Sequence, residues 1–218
     1  MGMVDGRGKI NGTVGSKNRS GAYLRVKVSG VNPQTSYQLA ARNLLTSFSQ
    51  GWRLLTQSQR SAWNASVGDY ARTDVFGDLR NPTGKNLYSR LNINTSSVGG
   101  ATLSDPPTPA GVEAITAGAL VITNGGAKTI AHNVTTGDTA IQIWATPGLS
   151  PGKSFLNGDY RLISTVTAGG ASPANIATAY ANRFGQPAVG TKVGVRLVGI
   201  NEVTGESGIP SEVTTITV

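Results

Sequence analysis

Two hydrophobic patterns divide the chain near residue 105. Before this point, a stretch of alternating apolar and basic residues is followed by apolar residues at helical spacing. After it, short apolar runs recur between turns rich in Gly, Asn and Thr. A period of two is typical of strands, and a spacing of three or four residues is typical of amphipathic helices. The pattern therefore predicts an α+β first module and an all-β second module.

The N-terminal alternation predicts a β-hairpin within residues 8–29. In its first strand, the residues expected on one face are Ile10, Gly12 and Val14. Its second strand has an apolar face formed by Leu24, Val26 and Val28, and a mainly basic face formed by Tyr23, Arg25 and Lys27. A lone hairpin is only marginally stable in water, so we expect this one to pack against helices or against another protein.

Three helices are predicted next. The first covers residues 34–54 and carries one apolar stripe of Leu39, Ala40, Leu44, Leu45, Phe48, Trp52 and Leu55. The capping-box spacing of Thr56 and Gln59 indicates that a second helix begins there. A third helix is predicted at Asn81-Pro82, because proline suits the first helical position. Trp52 and Trp63 are expected to fill the small core rather than to stack on a base or a sugar.

The second module contains short strand-like runs separated by turns. They cover residues 112–116, 119–124, 129–134, 139–146, 160–167, 192–200 and 212–218. This number and spacing predict an immunoglobulin-like β-sandwich. Residues 193–218 are similar to the last hairpin of fibronectin type III domains. Residues 173–183 look helical where such domains have a loop, so the broader immunoglobulin-like class is preferred.

Charge follows the same division. Residues 1–103 carry thirteen Lys and Arg against four Asp and no Glu, a net charge of +9. Residues 104–218 carry six Lys and Arg against seven Asp and Glu, a net charge of −1. Residues 104–111 include three prolines, which are poorly suited to helices and central strands. We therefore predict a basic docking and oligomerisation module over 1–103, a linker over 104–111 and the sandwich over 112–218.

Candidate chemistry is sparse. The chain has no cysteine and one histidine, His132, which lies in a strand-like run away from any cluster of carboxylates. The glycine-rich stretches lack the spacing of a phosphate-binding loop. No run approaches the roughly 20 apolar residues that span a bilayer. We expect no catalytic residue, no bound metal, no cofactor and no membrane partner.

The N-terminal basic residues are the candidate partner-binding site. The set comprises Arg7, Lys9, Lys17, Arg19, Tyr23, Arg25 and Lys27. Such a patch suits an acidic protein surface, and it also suits the phosphates of a nucleic acid. A merely solvated basic face is the third interpretation. No helix-turn-helix, zinc or RNA-binding motif accompanies the patch, which favours protein docking over nucleic acid.

A resemblance rests on spaced positions over residues 8–92. They are Gly8, Gly12, Gly15, Asn18-Arg19, Gly21, Tyr23, Arg25, Val31-Asn32-Pro33, Thr35, Gln38, Arg42, Trp52-Arg53, Leu55-Thr56, Gln59-Arg60 and Ala62-Trp63. This pattern resembles a small protein of structural gene clusters in tailed bacteriophages, including crAss-like phages. The resemblance implies a non-enzymatic virion component, assembled in the bacterial cytoplasm and attached to capsid or neck proteins.

The first expectation is therefore a head fibre or capsid decoration protein. Its basic module would dock on the particle and form a homo-oligomer, a dimer or a trimer, while the sandwich projects outward. The alternatives are a nucleic-acid-binding or head-to-tail neck protein, and an adhesion module that binds a host-surface glycan. The glycan role rests only on analogy between folds.

Overall fold

The computed structural model describes residues 8–28, 30, 32–133, 135 and 137–218, without the side chains of Lys9 and Ile10. The chain forms two compact units, of which the first ends at Ala41 and the second covers Arg42–Val218. This division differs from the predicted one, because residues 42–103 belong with the C-terminal sheets. The architecture combines helices with antiparallel sheets, which confirms the α+β mixture.

The first unit contains a three-stranded antiparallel sheet in the order β1-β2-β3. Its strands are β1 (Gly8–Ile10), β2 (Thr13–Asn18) and β3 (Gly21–Val26). The prediction that Ile10, Gly12 and Val14 share one strand is wrong, because the chain turns at residues 11–12 and pairs Ile10 with Thr13. Asn11 has a positive φ of 51°, the left-handed conformation that an Asn-Gly turn uses.

No described residue in 8–41 is buried. On one face of β3, the side chains of Leu24 and Val26 are 57% and 77% exposed. A sheet of this size needs a hydrophobic face packed on something else to be stable. The first unit therefore does not build a core of its own from the described residues.

Helix α1 (Ser36–Leu54) begins in the first unit and ends in the second. The expected continuous buried stripe is only partly present. Phe48 and Leu55 are buried and Trp52 is half-buried. The stripe residues that remain exposed are Leu39, Ala40 and Leu45. The first half of α1 therefore presents its apolar side chains to solvent.

The capping box predicted at Thr56 is confirmed at the start of α2 (Gln57–Ala65). The Gln59 amide donates to Thr56 Oγ1 over 3.2 Å, and the Thr56 amide donates to Gln59 Oε1 over 3.0 Å. A 3-10 helix (Ser66–Tyr70) follows, and then a short hairpin of β4 (Arg72–Thr73) and β5 (Leu79–Arg80).

Helix α3 covers Gly84–Ser97, so it begins two residues after Pro82, the predicted first helical residue. The prediction of an Asn81 cap is wrong because Thr83 is the capping residue, and its hydroxyl accepts from the Asn86 amide over 3.3 Å. The helices enclose a core of Phe48, Leu55, Trp63, Tyr70, Leu87, Tyr88 and Leu91. At its centre, the Tyr88 ring contacts Phe48, Trp52 and Trp63.

Two antiparallel sheets complete the second unit. The first has the order β10-β7-β6, formed by β6 (Ala117–Ile122), β7 (Lys128–His132) and β10 (Ala174–Asn175). The second has the order β12-β11-β8-β9, formed by β8 (Thr139–Ala145), β9 (Arg161–Val166), β11 (Lys192–Asn201) and β12 (Ser211–Ile216). Helix α4 (Ala177–Phe184) follows β10, and one apolar core joins both sheets.

One predicted strand is wrong, because residues 112–116 form no strand. Two amides of this segment donate to side chains and not to the backbone of a neighbouring strand. The Glu113 amide donates to Thr139 Oγ1, and the Thr116 amide donates to Asn133 Oδ1. The other predicted strands occur at the expected positions within a few residues. The helix expected from residue 173 begins at Ala177 instead, after β10.

The proline-rich segment 104–111 is bonded to both the helices and the sheets. Trp63 Nε1 donates to the Ser104 carbonyl over 2.9 Å, and the Tyr70 hydroxyl donates to the Pro107 carbonyl over 2.9 Å. From the other side, Glu206 Oε2 accepts from the Ala110 and Gly111 amides over 2.8 and 3.0 Å. The segment predicted as a linker is thus a fixed part of the second unit.

High pH is expected to destabilise the second unit through Tyr180. This side chain is fully buried, its hydroxyl donates to the Thr146 carbonyl, and burial raises its pKa to about 12. An unfolded tyrosine ionises near pH 10, so the stabilisation present below pH 10 is lost as the pH rises through 12. The urea midpoint should fall between pH 10 and 12, and it should fall less steeply in Tyr180→Phe. Equal slopes in the two proteins would contradict this assignment.

Candidate docking surface

The register of the N-terminal sheet brings three of the predicted site residues onto one face. Tyr23 lies opposite Ser16 and Arg25 lies opposite Val14, and the pairing continues to Lys27, whose amide donates to the Gly12 carbonyl over 2.7 Å. Because alternate residues of a strand share a face, Tyr23, Arg25 and Lys27 lie in one row. All three are exposed. We call this row the basic face.

The remaining predicted site residues are placed differently. Lys17 pairs with Ala22 and so lies on the opposite face of the sheet. Arg19 is in the β2–β3 turn, where Asn18 Oδ1 accepts from the Ser20 amide over 2.9 Å. Lys9 pairs through its backbone with Val14, but its side chain lies outside the description, as does the whole of Arg7. The structure therefore gathers part of the predicted set, with Arg19 beyond one end of the row.

The electrostatics of this surface follow from the sequence around it. Residues 6–68 contain nine Lys and Arg and no Asp or Glu. Six of these nine cations lie in residues 6–41, in the first unit, where the sequence offers no carboxylate to neutralise them, and cations of this kind attract anionic groups over roughly a Debye length, about 8 Å at physiological salt. The opposite face of β3 is apolar, with Ala22, Leu24 and Val26 exposed. Strand β3 therefore offers charge on one side and apolar area on the other, with Lys17 of β2 beside Ala22 at the end of the apolar side.

The two tryptophans predicted as core residues lie in the second unit. Trp63 is 0% exposed and packs edge-on against Tyr88, with ring centroids 5.4 Å apart. Trp52 is half-buried and packs against the same tyrosine, with centroids 5.6 Å apart. A fully buried indole leaves no ring face open to a base or a sugar, so Trp63 is not available as a stacking platform.

His132 is buried at the end of β7. Its Nδ1 lies 2.8 Å from the Asn133 carbonyl oxygen, so Nδ1 carries the proton, because a carbonyl only accepts. Nε2 is buried and has no partner among the described residues. Within the described ranges, no three His, Cys, Asp or Glu side chains are grouped as a metal ion would require.

The second unit contains a polar cavity of about 180 Å³ that the sequence pattern does not predict. Tyr70, Arg72, Arg90 and Glu206 contribute to its lining. Burial raises the pKa of Tyr70 to about 12, so it stays a neutral phenol and donates to Pro107. Burial, and secondarily the charge of Arg72, lowers the pKa of Arg90, whose guanidinium lies 5.8 Å from the Tyr70 ring centroid. At neutral pH, Tyr70 is therefore a hydrogen-bond donor and not a base.

Comparison with protein-family models, curated proteins and solved structures finds no match for this chain. Among the described residues, no helix has both the length and the apolar character needed to cross a bilayer. The case for a function therefore depends on the charge, burial and strand order described above.

Proposed function

We propose that the chain is a non-enzymatic structural protein of a bacteriophage virion, either a head fibre or a capsid decoration protein. It docks through its basic N-terminal unit, and its second unit contains an immunoglobulin-like sandwich. One observation carries this proposal: the exposed basic face, with Arg25 and Lys27 beside Tyr23, lies on a sheet in a unit with no buried residue among those described.

Burial supports an obligatory partner for the first unit. Small chains below about 40 residues usually need a metal, a disulfide or a partner to fold, because they bury too little surface alone. The chain has no cysteine, so a disulfide is excluded. Leu24 and Val26 are largely exposed, and the first half of α1 is exposed as well. The described residues group no three His, Cys, Asp or Glu side chains that would hold a metal ion, so they favour association as the source of stability.

Charge supports an acidic protein surface as that partner. Nine cations without a carboxylate in residues 6–68 would favour an acidic partner surface. The same charge would suit attachment to an acidic surface at the neck of the particle, so the charge fits head docking and neck docking equally. DNA phosphates are the competing anion, and the experiment below includes them.

Strand order supports the immunoglobulin-like proposal. In such sandwiches, strands A, B and E belong to one sheet and C, F and G to the other, with an added C′ beside C. Matching β6, β7 and β10 to A, B and E gives the observed order β10-β7-β6. Matching β8, β9, β11 and β12 to C, C′, F and G gives the observed order β12-β11-β8-β9. Helix α4 is then an insertion between strands E and F.

Reversing the basic face should abolish docking. We expect Arg25→Glu/Lys27→Glu to reduce binding to capsids of the encoding phage by about tenfold or more, because each lost charge pair becomes a repulsion. The measurement is co-sedimentation of the purified chain with capsids that lack it. The control is Lys85→Glu/Arg161→Glu, which makes the same charge change in the second unit and should bind like the unaltered chain.

Equal binding by the Arg25→Glu/Lys27→Glu protein and the control would overturn capsid docking through this face. A DNA column supplies the second arm of the experiment. If charge reversal removes salt-sensitive retention on DNA while capsid binding is unchanged, the basic face serves nucleic acid instead.

A further inference from the structure

Among the described residues, strand β3 is at the edge of its sheet, and the backbone groups that face away from β2 can be identified. The amide of Lys27 donates to Gly12, next to the β2–β3 ladder. In an antiparallel ladder, alternate residues direct both backbone groups toward the same neighbour. Tyr23 and Arg25 therefore bond toward β2, as Lys27 does. The outward-directed amides and carbonyls belong to Ala22, Leu24 and Val26.

We propose that β3 pairs antiparallel with β3 of a second copy of this chain, in a register centred on Leu24. In this register Leu24 lies opposite the partner's Leu24, and Ala22 lies opposite the partner's Val26. Both pairs use outward-directed groups on each strand, so hydrogen bonds form without disturbing either β2–β3 ladder. Two three-stranded sheets become one sheet of six strands, and the exposed edge of each is closed.

Side-chain chemistry selects this register over its neighbours. Centring on Arg25 would put that guanidinium opposite the partner's Arg25, and like charges directly opposite are destabilising. Centring on Tyr23 would put Val26 opposite Ser20, in the β2–β3 turn, so the 77% exposed Val26 side chain would gain no strand partner. With the centre at Leu24, Tyr23 lies opposite the partner's Arg25, which permits a cation–π contact in each direction. The pattern of β3 is thus complementary to itself.

Burial is the reason for choosing a second copy as the occupant. On one face, the pairing joins Ala22, Leu24 and Val26 of both copies into a single apolar patch, and Leu24 and Val26 are now 57% and 77% exposed. The described part of this unit buries no residue by itself, so this area is what pairing can cover. Pairing uses the backbone edge of β3 and adds contacts between Tyr23 and Arg25, whereas docking would use the solvent side of the basic face, so this inference goes beyond the proposed docking function.

A cysteine cross-link tests the register directly, because the chain contains no cysteine of its own. In a hydrogen-bonded antiparallel pair the opposed Cα atoms are about 5.5 Å apart, within the range that a disulfide spans. Full-length Leu24→Cys should therefore become mostly covalent dimer under mild oxidation. Val26→Cys is the control, because its partner copy lies four residues away, about 13 Å along the strands. Ala22→Cys/Val26→Cys should cross-link, since these positions are opposed.

Sedimentation of the purified full chain tests the association itself. We expect a dimer, or a higher oligomer assembled from such dimers. Leu24→Lys places like charges opposite each other and should raise the dimer dissociation constant at least tenfold. A monomer at the highest soluble concentration would overturn the proposal, and cross-linking of Val26→Cys as efficient as that of Leu24→Cys would overturn the register. Neither measurement uses capsids, so failure here leaves capsid docking standing.

Discussion

Trp63→Ala is expected to lower the free energy of unfolding of the second unit by about 4 kcal/mol. The indole is fully buried among the helices, packs edge-on against Tyr88 and donates a hydrogen bond to the Ser104 carbonyl. Truncation would leave a cavity and an acceptor without its donor, and these costs add. The measurement is the urea midpoint of the full chain, followed by far-UV circular dichroism.

Two variants calibrate this expectation. Trp63→Phe keeps most of the ring area but loses the Nε1 donor, so it should cost less than the alanine variant. Leu54→Ala truncates a large apolar residue that is 86% exposed, and it should change stability by no more than about 0.5 kcal/mol. If Trp63→Ala were no more damaging than Leu54→Ala, the helical core would not depend on this side chain.

Gly205→Ala is expected to cost about 3 kcal/mol or more, from backbone strain and overpacking together. Gly205 has a φ of +73°, and an added Cβ would lie 2.3 Å from the Leu91 carbonyl oxygen. That oxygen belongs to α3, so the clash would separate the helix from the loop between β11 and β12. The Asn94 side chain, which donates to the Gly205 carbonyl over 2.8 Å, would lose its partner as well.

Gly152→Ala is the matched control, since its added Cβ meets nothing within 4 Å and its φ is not in the left-handed region. We expect this variant to be as stable as the unaltered chain or slightly more stable, because alanine restricts the unfolded state. Hydrogen exchange should show faster exchange of α3 amides in Gly205→Ala alone. Unchanged exchange in α3 would show that helix and loop pack independently.

Local signals explain how much of the fold could be predicted. Thr56 and Gln59 predict their helix start because a capping box satisfies backbone donors within four residues. The turn at Asn11-Gly12 is also a local signal, because this dipeptide strongly favours a hairpin. The weak alternation of Ile10 and Val14 predicted a continuous strand there instead. Residues 112–116 have a strand-like composition, but the amides of Glu113 and Thr116 donate to distant side chains, those of Thr139 and Asn133. No local pattern encodes those partners.

Part of the candidate site could likewise be predicted from local sequence, and part could not. The row of Tyr23, Arg25 and Lys27 could be predicted from alternation alone, because a strand imposes it. The position of Lys17 on the opposite face depends on the turn at residues 19–20, which sets the register. The cavity beside Tyr70 and Arg90 could not be predicted, because Glu206 reaches it from a loop more than a hundred residues further along the chain.

The carboxylate of Glu206 has a consequence for how such proteins can diversify. It bonds Ala110 and Gly111, while the Trp63 and Tyr70 side chains bond the same proline-rich segment from the opposite direction. Recombination between genes at residues 104–111 would join halves that lack these partners. An exchange that keeps these bonds would have to transfer residues 42–218 together, as the single compact unit that they form.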